Sequence, residues 1–534
     1  MKIVQQRLLH ESLLNTAKYF PDKVAVIVQG KPFTYTELLD SSLRLANALR
    51  IRGLRRGDRV AIYLDNTWEC VVSIYAVLIA SGIFIIINPQ TKSDKLGYIL
   101  NDSDANLMLT DSSLSRNFVP VLNKSHAVRH LIYTGKELSE STKEELDPTI
   151  NIETFNKIIS ESVSMTQVAS VIALDMAGLV YTSGSTGDPK GVIHTHQSMM
   201  FALGSLIEYL RLSNEHRILC VLPLAFDYGL YQLFMTVQLG ATLVLERSFT
   251  YPVQIFNRIE ESSVTVFPGV PTVFSMMLAM HNRKPLHFPL VTRVTNTAAA
   301  LPEEYIPKLK EIFPAALIYK MYGLTECKRV CYLEPELVSE KPNSVGKAIP
   351  GTEVFLLSEE GNPVPPGEMG ILHVRGPHVM LGYWKDPEKT AYMLKDGPIP
   401  GERVLCTHDL FRMDSDGFLY FVGRTDDIIK TRGEKVSPLE VENVLYAVNG
   451  VKEAAVIGVP DEILGEAIYA YVSLDEESKP TKREIARACI ENLENYMVPK
   501  EIIILPELPK TNTNKISKNE LAKINTEKLD QNIA

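Results

Sequence analysis

Much of this sequence alternates between strand-like and helix-like segments, and this alternation constrains the fold more than any other feature. Residues 59–64 form a β-rich run, and a helical pattern follows at 68–80. The same order recurs at 241–245 and 252–262. Strands that alternate with helices favour largely parallel sheets covered by helices. We therefore predict an α/β protein.

One apolar segment, residues 71–87, is close to the length of a membrane span. Gly82 divides it, and all residues from 83 to 87 are β-branched or aromatic, which is typical of a buried strand. We predict a buried helix that runs into a buried strand. Residues 1–15 contain no apolar core of signal-peptide length, so a cytoplasmic protein is expected.

The C-terminal part of the chain has a different pattern. Residues 354–383 contain short strand-like runs broken by Gly and Pro, which predict a small antiparallel or barrel-like β subdomain. From residue 437 onward, helical and strand-like segments predict a compact α+β domain of about one hundred residues. A chain of 534 residues exceeds what one hydrophobic core usually serves, so at least two domains are expected.

Charge and cysteine content exclude two classes of protein. The formal net charge of −9 argues against a general nucleic-acid-binding protein, whose affinity comes from clustered Lys and Arg. The six cysteines are scattered and form no C-x-x-C pair. This spacing indicates reduced thiols rather than a disulfide framework or a zinc site.

The strongest functional signal is the loop YTSGSTGDPKG at residues 181–191, which follows a strand-like run. Its glycines let the backbone approach oxygen atoms and expose N–H donors, and its hydroxyls and lysine complete a polyphosphate site. No Gly precedes the Lys and no helix starts at once, so it is not a Walker loop. His194 and His196 follow it and are interpreted as loop or strand-end residues rather than catalytic ones. The predicted phosphate-binding residues are Thr182, Ser183, Gly184, Ser185, Thr186, Gly187 and Lys190.

This loop resembles the phosphate loop of the adenylate-forming superfamily, which includes acyl-CoA synthetases, adenylation domains of peptide synthetases and luciferases. Further motifs agree in the family's order from Phe33 to Lys515, nearly the whole chain. The resemblance implies that ATP and Mg²⁺ activate a carboxylic acid as an acyl-adenylate, which then passes to a thiol. It also implies an N-terminal adenylation core of layered α/β subdomains at 1–423, a hinge at 424–430 and a smaller, mobile C-terminal domain at 431–534.

The motif YGLTE at 322–326 is similar to the family's second nucleotide motif. The resemblance implies that Tyr322 stacks on adenine, that Gly323 and Thr325 contact the nucleotide, and that Glu326 holds Mg²⁺. A flat ring suits a flat base, and a hard carboxylate oxygen suits a hard cation.

Four later positions complete the family's motif series. Asp409 matches the ribose-binding aspartate, although the motif reads Thr-His-Asp where the family often has Thr-Gly-Asp. Arg424 matches a nucleotide contact, and Asp426 the residue whose torsions turn the small domain. Lys515 matches the catalytic lysine, whose ammonium offsets charge that builds in the transition state. With Lys190 and Glu326, it forms the expected catalytic set.

Asp227 carries the prediction of the substrate. It follows Phe226, as in amino-acid-activating relatives in which Asp pairs with the α-amino group of the substrate. A buried carboxylate without a partner is costly, so an aspartate in this pocket predicts a cationic ligand. The alternative is that it caps the helix that follows. By motif spacing, the expected pocket residues are Tyr228, Tyr231, Thr297, Met321 and Val330.

Together these residues resemble the stand-alone prolyl-adenylating enzymes that serve pyrrole-containing and anatoxin-type natural products. This implies L-proline as the substrate and the phosphopantetheine thiol of a separate carrier protein as the acceptor. The sequence leaves an acyl- or aryl-CoA ligase (AMP-forming) and a light-producing oxygenase open. A non-catalytic scaffold is disfavoured because Lys190, Glu326 and Lys515 are all present. No nucleic-acid or membrane partner is expected.

Overall fold

The computed structural model describes residues 6–125, 127–168, 170–182, 189–425, 427–431, 434–461, 463–475, 478–511 and 515–531. The strands in these ranges are β1 (Val24–Val28), β2 (Lys31–Thr34), β3 (Arg59–Tyr63), β4 (Ile83–Ile86), β5 (Leu107–Asp111), β6 (His130–Thr134), β7 (Asn151–Thr154), β8 (Met176–Thr182), β9 (Lys190–Thr195), β10 (Arg217–Cys220), β11 (Thr242–Leu245), β12 (Val266–Gly269), β13 (Arg293–Asn296), β14 (Leu317–Tyr322), β15 (Cys331–Leu333), β16 (Lys347–Ala348), β17 (Glu353–Leu357), β18 (Met369–Arg375), β19 (Leu394–Asp396), β20 (Arg403–Met413), β21 (Leu419–Arg424), β22 (Ile429–Thr431), β23 (Glu434–Val436), β24 (Val451–Asp461), β25 (Gly465–Leu474) and β26 (Glu501–Ile504). The α-helices are α1 (Leu9–Tyr19), α2 (Tyr35–Ile51), α3 (Trp68–Ile79), α4 (Ser93–Ser103), α5 (Ser115–Leu122), α6 (Glu140–Glu145), α7 (Phe155–Glu161), α8 (His196–Tyr209), α9 (Asp227–Leu239), α10 (Pro252–Glu261), α11 (Pro271–Arg283), α12 (Tyr305–Ile312), α13 (Pro387–Met393), α14 (Pro438–Tyr446), α15 (Lys482–Asn492) and α16 (Lys518–Gln531).

Two large sheets build the N-terminal region, and most of their strands run parallel, as the alternation of strands and helices predicts. One sheet has nine strands in the order β16-β15-β14-β13-β12-β10-β11-β1-β2, with antiparallel pairs at its two ends. The other has seven in the order β7-β6-β5-β3-β4-β8-β9, and its β8–β9 pair is antiparallel. Strands β4, β10 and β11 are buried along their length or nearly so, as expected where helices cover both faces.

The apolar segment at 71–87 is a helix that runs into a strand, as predicted. Helix α3 is buried from Cys70 to Ile79, and a tight turn through Gly82 leads into β4, whose four residues are buried. No helix among the described residues is long and apolar enough to span a membrane. All six cysteines are buried and free, which agrees with the prediction of reduced thiols.

Two smaller sheets follow. Strands β17 to β21 form a wholly antiparallel sheet, which confirms the prediction for residues 354–383. Strands β22 to β26 form the last sheet, and helices α14 and α15 pack against its own hydrophobic core. Strand β25 pairs with β24 along almost its whole length, and helix α16 follows the last strand and ends at Gln531.

Ligand sites in open parallel sheets lie beyond the carboxyl ends of the strands. Strands β13 and β14 are parallel neighbours in which Asn296 is opposite Lys320. Their register therefore brings Thr297 and Met321 side by side where the strands end. The candidate site lies at this edge.

Candidate active site

A cavity of about 2590 Å³ opens at this edge, and its walls come from the large sheets, the antiparallel sheet and the C-terminal region. It brings together predicted nucleotide residues that are far apart in the sequence. Those on its lining are Thr182, Lys190, Tyr322, Gly323, Thr325, Glu326, Asp409, Arg424 and Lys515. The predicted residues Ser183, Gly184, Ser185, Thr186, Gly187 and Asp426 lie outside the described ranges.

The two described ends of the phosphate loop meet across an antiparallel pair, in which Thr182 of β8 is opposite Lys190 of β9. The Lys190 ammonium lies 5.6 Å from the ring centroid of Tyr383. The hydroxyl of Tyr383 donates a hydrogen bond of 2.6 Å to Oε1 of Glu326. Tyr383 therefore contacts both Lys190, a cation suited to phosphate, and Glu326, a carboxylate suited to Mg²⁺.

Glu326 fits a magnesium site by its chemistry. Mg²⁺ prefers oxygen ligands and is usually bound by one or two carboxylates together with phosphate oxygens and water. Among the described residues no three His, Cys, Asp or Glu side chains cluster as metal ligands. One carboxylate beside the ends of a phosphate loop is the arrangement that such an ion requires.

The loop after β14 is fixed by several contacts to the backbone of Thr325 and Glu326. Nε2 of His194 lies 2.9 Å from the carbonyl oxygen of Thr325, and Met380 N–H donates a bond of 2.8 Å to the carbonyl of Glu326. Burial lowers the pKa of His194 well below its usual value, so this histidine is neutral and donates from Nε2. Neither His194 nor His196 lines the cavity. His194 positions the loop, and His196 accepts a bond of 3.2 Å from the N–H of Leu9.

Gly323 is required for the path of this loop. A Cβ atom at this position would lie 2.3 Å from the carbonyl oxygen of Lys328, which is far inside contact distance. Val330 N–H closes the loop with a bond of 3.0 Å to the carbonyl of Tyr322.

The predicted adenine and ribose residues form one group. Tyr322 donates a short hydrogen bond to Oδ2 of Asp409, and Nε of Arg424 lies 3.8 Å from Oδ1 of the same carboxylate. Burial and the neighbouring Asp409 raise the pKa of Tyr322 well above its usual value, so its hydroxyl keeps the proton that it donates. Phe411 packs edge-on against the Tyr322 ring at 4.9 Å, and Phe421 stacks at 6.0 Å.

The unusual Thr-His-Asp motif keeps a left-handed turn. His408 has a φ of 56°, in the region that favours glycine. Its ring stacks on Tyr392 with centroids 4.2 Å apart and planes 4° apart. Because this contact compensates for the unfavourable backbone, histidine can stand where the family often has glycine.

Lys515 reaches the same cavity from the C-terminal region. Solvent in the cavity still contacts its side chain, but the surrounding protein and Arg424 lower the pKa of Lys515, while Asp409 raises it. The small domain is therefore docked so that this ammonium faces the nucleotide group.

Asp227 does not lack a partner, contrary to the premise from which a cationic substrate was predicted. Lys328 Nζ lies 2.6 Å from Asp227 Oδ1, and the two side chains are 1% and 12% exposed respectively. Asp227 is the first residue of α9 and makes no side-chain capping bond, so the capping alternative is not observed either. Lys328 has a left-handed φ of 67°, and desolvation lowers its pKa while Asp227 raises it.

The other predicted pocket residues divide into two groups. Tyr228, Thr297 and Met321 line the cavity, whereas Tyr231 and Val330 do not. Only the first turn of α9 reaches the cavity, and Tyr231 lies about one turn deeper, in the core. Val330 packs in the hydrophobic cluster beneath the antiparallel sheet. This placement corrects the expectation for both side chains.

Lys328, Arg329 and Tyr383 also line the cavity but were not predicted from the sequence. The guanidinium of Arg329 lies 5.0 Å from the ring centroid of Tyr228, whose hydroxyl donates a bond of 2.7 Å to the carbonyl of Thr295. Two consecutive cations, separated by one residue from the predicted magnesium-binding Glu326, were the available signal. Nothing in the sequence marks Tyr383.

Comparisons with known proteins agree with this site. The family model described as AMP-binding enzyme matches residues 13–384, and the AMP-binding enzyme C-terminal domain matches residues 440–515. A long-chain-fatty-acid–CoA ligase of Bacillus subtilis (strain 168) is 33% identical over 542 residues, covering 97% of this chain and 95% of the relative.

Two solved structures have similar folds over almost the whole chain. The anthranilate CoA ligase in complex with anthranoyl-AMP has a TM-score of 0.86 at 27% identity and covers 97% of both chains. The o-succinylbenzoate coenzyme A synthetase of Bacillus subtilis with ATP and magnesium has a TM-score of 0.81 at 28% identity and covers 96% of this chain and 98% of that one. The chain belongs to the AMP-binding enzyme family and is an AMP-forming acid–thiol ligase that uses ATP and Mg²⁺.

Proposed function

We propose that this protein is a carboxylic acid–CoA ligase, which forms an acyl-adenylate and transfers the acyl group to the thiol of CoA. Relatives and solved structures that match along nearly the whole chain are named as CoA ligases. The observation that carries the choice against an amino acid is the Asp227–Lys328 ion pair. The carboxylate that was expected to bind the ammonium of a substrate already holds a cation of the chain.

In the first half-reaction, a carboxylate oxygen of the acid attacks the α-phosphorus of ATP, and the bond to pyrophosphate breaks. Lys190 and the phosphate loop hold the phosphates, and Glu326 is the residue that would hold Mg²⁺, which neutralises phosphate charge when bound. Lys515 supplies a fixed ammonium where negative charge gathers between the carboxylate and the α-phosphate. Asp409 accepts hydrogen bonds from the ribose hydroxyls.

In the second half-reaction, the sulfur of CoA attacks the acyl carbon and AMP leaves. In the described arrangement Lys515 occupies the cavity, which suits adenylation. We propose an N-terminal domain that ends at residue 423, a hinge at 424–430 and a C-terminal domain that begins at residue 431. Rotation about this hinge withdraws Lys515 before the thiol enters.

L-Proline and a carrier protein are not supported as substrate and acceptor. An ammonium group would enter beside two buried cations, Lys328 and Arg329, with one carboxylate between them. The long-chain-fatty-acid–CoA ligase and the anthranilate CoA ligase compared above are both named as CoA ligases rather than carrier-protein ligases.

The test is to incubate the protein with ATP, Mg²⁺ and CoA and a panel of aliphatic, aromatic and amino acids, and to identify thioesters by mass spectrometry. We expect an acyl-CoA and AMP from at least one amine-free acid. Pyrophosphate exchange with L-proline, without any CoA thioester from the panel, would contradict the proposal.

A further inference from the structure

The part of the cavity lining around Asp227 is polar, although one relative of this chain is named as a long-chain-fatty-acid–CoA ligase. Five side chains of the cavity lining, from three parts of the sequence, form what we call the polar wall. It consists of Asp227, Asn296, Thr297, Lys328 and Arg329. The contacts of Tyr228 hold these residues together, because its hydroxyl bonds to Thr295 and its ring lies under the Arg329 guanidinium.

Four atoms of the polar wall have no hydrogen-bond partner although they are buried. They are Asp227 Oδ2, Asn296 Nδ2, Thr297 Oγ1 and Arg329 Nε. Native proteins satisfy nearly all of their buried polar groups, and an exception on a cavity lining marks a place where a bound ligand or an ordered water can supply the partner. The residues Asn296, Thr297 and Arg329 line the cavity and are each at most 5% exposed.

The wall also carries an excess of positive charge. Lys328 is paired with Asp227, whereas the guanidinium of Arg329 has no carboxylate partner among the described ion pairs. Its contacts include a bond of 3.0 Å from Nη1 to the carbonyl of Lys328, the face of Tyr228 and the hydroxyl of Tyr209, and none of these is a carboxylate. Donors therefore outnumber acceptors, and a group that accepts hydrogen bonds fits better than a second cation.

We propose that the acid activated here carries an oxygen-bearing polar group, such as a hydroxyl, a carbonyl or a second carboxylate, that bonds to the polar wall. This inference rests on the proposed CoA ligase function and specifies its substrate class. A plain alkyl chain against the wall would leave its buried donors unsatisfied, which is the penalty that makes such sites selective. Tyr228 and Met321 also line the cavity and offer apolar surface to the carbon skeleton of the acid.

The test compares acids that differ only at the far end. ATP–pyrophosphate exchange is measured with acids of four, five and six carbons whose far end is a methyl, a hydroxyl, a carboxylate or an ammonium group. Palmitate is included as a long-chain acid. We expect the best hydroxyl- or carboxylate-ended acid to exceed its methyl-ended match by about 10-fold or more in kcat/KM. A preference for palmitate, for methyl-ended acids or for ammonium-ended acids would overturn the inference.

A pair of matched variants tests the wall itself. Thr297→Val removes an unpaired buried hydroxyl from the wall, whereas Thr110→Val removes an equally buried and unpaired hydroxyl from β5, away from the cavity. We expect Thr297→Val to reduce the preference for the oxygen-bearing acid by about 3- to 10-fold and Thr110→Val to leave it unchanged. An unchanged preference in Thr297→Val would count against the wall. If that variant does not fold, as judged by its unfolding temperature, Asn296→Leu makes the same test.

Failure of this inference is distinguishable from failure of the proposed function. If palmitate is converted to its CoA thioester, the CoA ligase function stands and the substrate class is wrong. If an oxygen-bearing acid supports exchange but CoA never receives it, the substrate class stands and the acceptor is wrong.

Discussion

Two buried charges, Asp227 and Lys328, join the first turn of α9 to the loop that carries Glu326. Removing two ions from water costs free energy that their mutual attraction offsets only in good geometry. Lys328 also adopts a left-handed backbone, which costs about 1–2 kcal/mol for a residue with a side chain. The Asp227–Lys328 pair has both a desolvation cost and a backbone cost, and it lies beside the candidate active site. A role in function therefore explains it better than a contribution to stability.

The pair predicts a specific pattern in a double-mutant cycle. Asp227→Leu or Lys328→Met alone should lower the free energy of unfolding by about 3–5 kcal/mol, because each leaves one buried charge without a partner. The double variant should recover most of that loss, since it leaves no buried charge. Urea unfolding of the four proteins measures the cycle, and independent, additive losses would show that the two charges do not interact.

Lys515 should serve one half-reaction only. Lys515→Ala should slow adenylate formation by about 10²–10³-fold, because it removes an ammonium aimed at transition-state charge. Transfer from a preformed adenylate to the thiol should change far less. Pyrophosphate exchange and single-turnover transfer measure the two steps, with Lys482→Ala as the control on an exposed pair with Glu501. Wild-type exchange in Lys515→Ala would refute the assignment.

Residues with a motif around them could be predicted, and residues without one could not. Lys190, Tyr322, Asp409 and Lys515 converge on the cavity because short patterns fix both their chemistry and their order. Lys328 was missed because its partner lies 101 residues away, and local sequence carries no information on such a pairing. The prediction of an amino-acid substrate assumed that the carboxylate of Asp227 was free, whereas the structure pairs it with Lys328.

At the scale of elements, the loop between β14 and β15 is the most tightly constrained part of the site. Gly323 packs under the carbonyl of Lys328, and His194 and Met380 hold the backbone of Thr325 and Glu326. The contacts come from β9 and from the segment after β18, so two other parts of the fold, together with the loop itself, determine where the carboxylate of Glu326 lies.

Two glycine substitutions should have opposite effects. Gly323→Ala would place a methyl group 2.3 Å from a carbonyl oxygen, and we expect it to cost about 1–3 kcal/mol of stability and to weaken ATP binding. Gly204→Ala, in α8 with open space around the new atom, should instead stabilise by about 0.5–1 kcal/mol. Thermal unfolding and ATP titration measure both. A tolerated Gly323→Ala would mean that the loop is not held as described.

Helices and strands could be predicted where the sequence has a clear hydrophobic pattern. The positions of side chains relative to the cavity could not, because they depend on the three-dimensional packing of the elements. The α3–β4 unit follows from composition and Gly82. The position of Tyr231 cannot be predicted from the sequence, because the spacing between motifs does not show how much of α9 lies along the cavity wall. Likewise, the sequence shows only that His408 stands where the family often has glycine, whereas the structure shows that His408 adopts a left-handed φ and stacks on Tyr392.

At the scale of the whole molecule, we propose that catalysis uses two arrangements of one small domain. The hydrophobic core of strands β22 to β25 with α14 and α15 is separate from the cores of the large sheets. A body with its own core can turn as a unit about a short connection. The hinge at 424–430 remains a prediction, and its central residue Asp426 lies outside the described ranges.

The hinge can be tested by restricting one backbone angle. Asp426→Pro fixes φ at that position and should impair adenylation and thiol transfer unequally, because one of the two arrangements becomes harder to reach. Asp426→Ala is the matched control that leaves the backbone free. Equal losses in both half-reactions, with the fold intact by circular dichroism, would place the hinge elsewhere.

The central claim, that an acyl-adenylate forms first and CoA then receives the acyl group, is tested most directly by a single-turnover experiment. Excess enzyme is mixed with ATP, Mg²⁺ and the best acid from the panel, and samples are quenched at intervals. CoA is then added to the remaining unquenched mixture, and further samples are quenched. We predict that bound acyl-adenylate and pyrophosphate appear together before CoA is present. On addition of CoA, the adenylate should disappear as AMP and acyl-CoA form in equal amounts. An adenylate that persists after CoA is added, or the formation of ADP in place of AMP, would contradict the account.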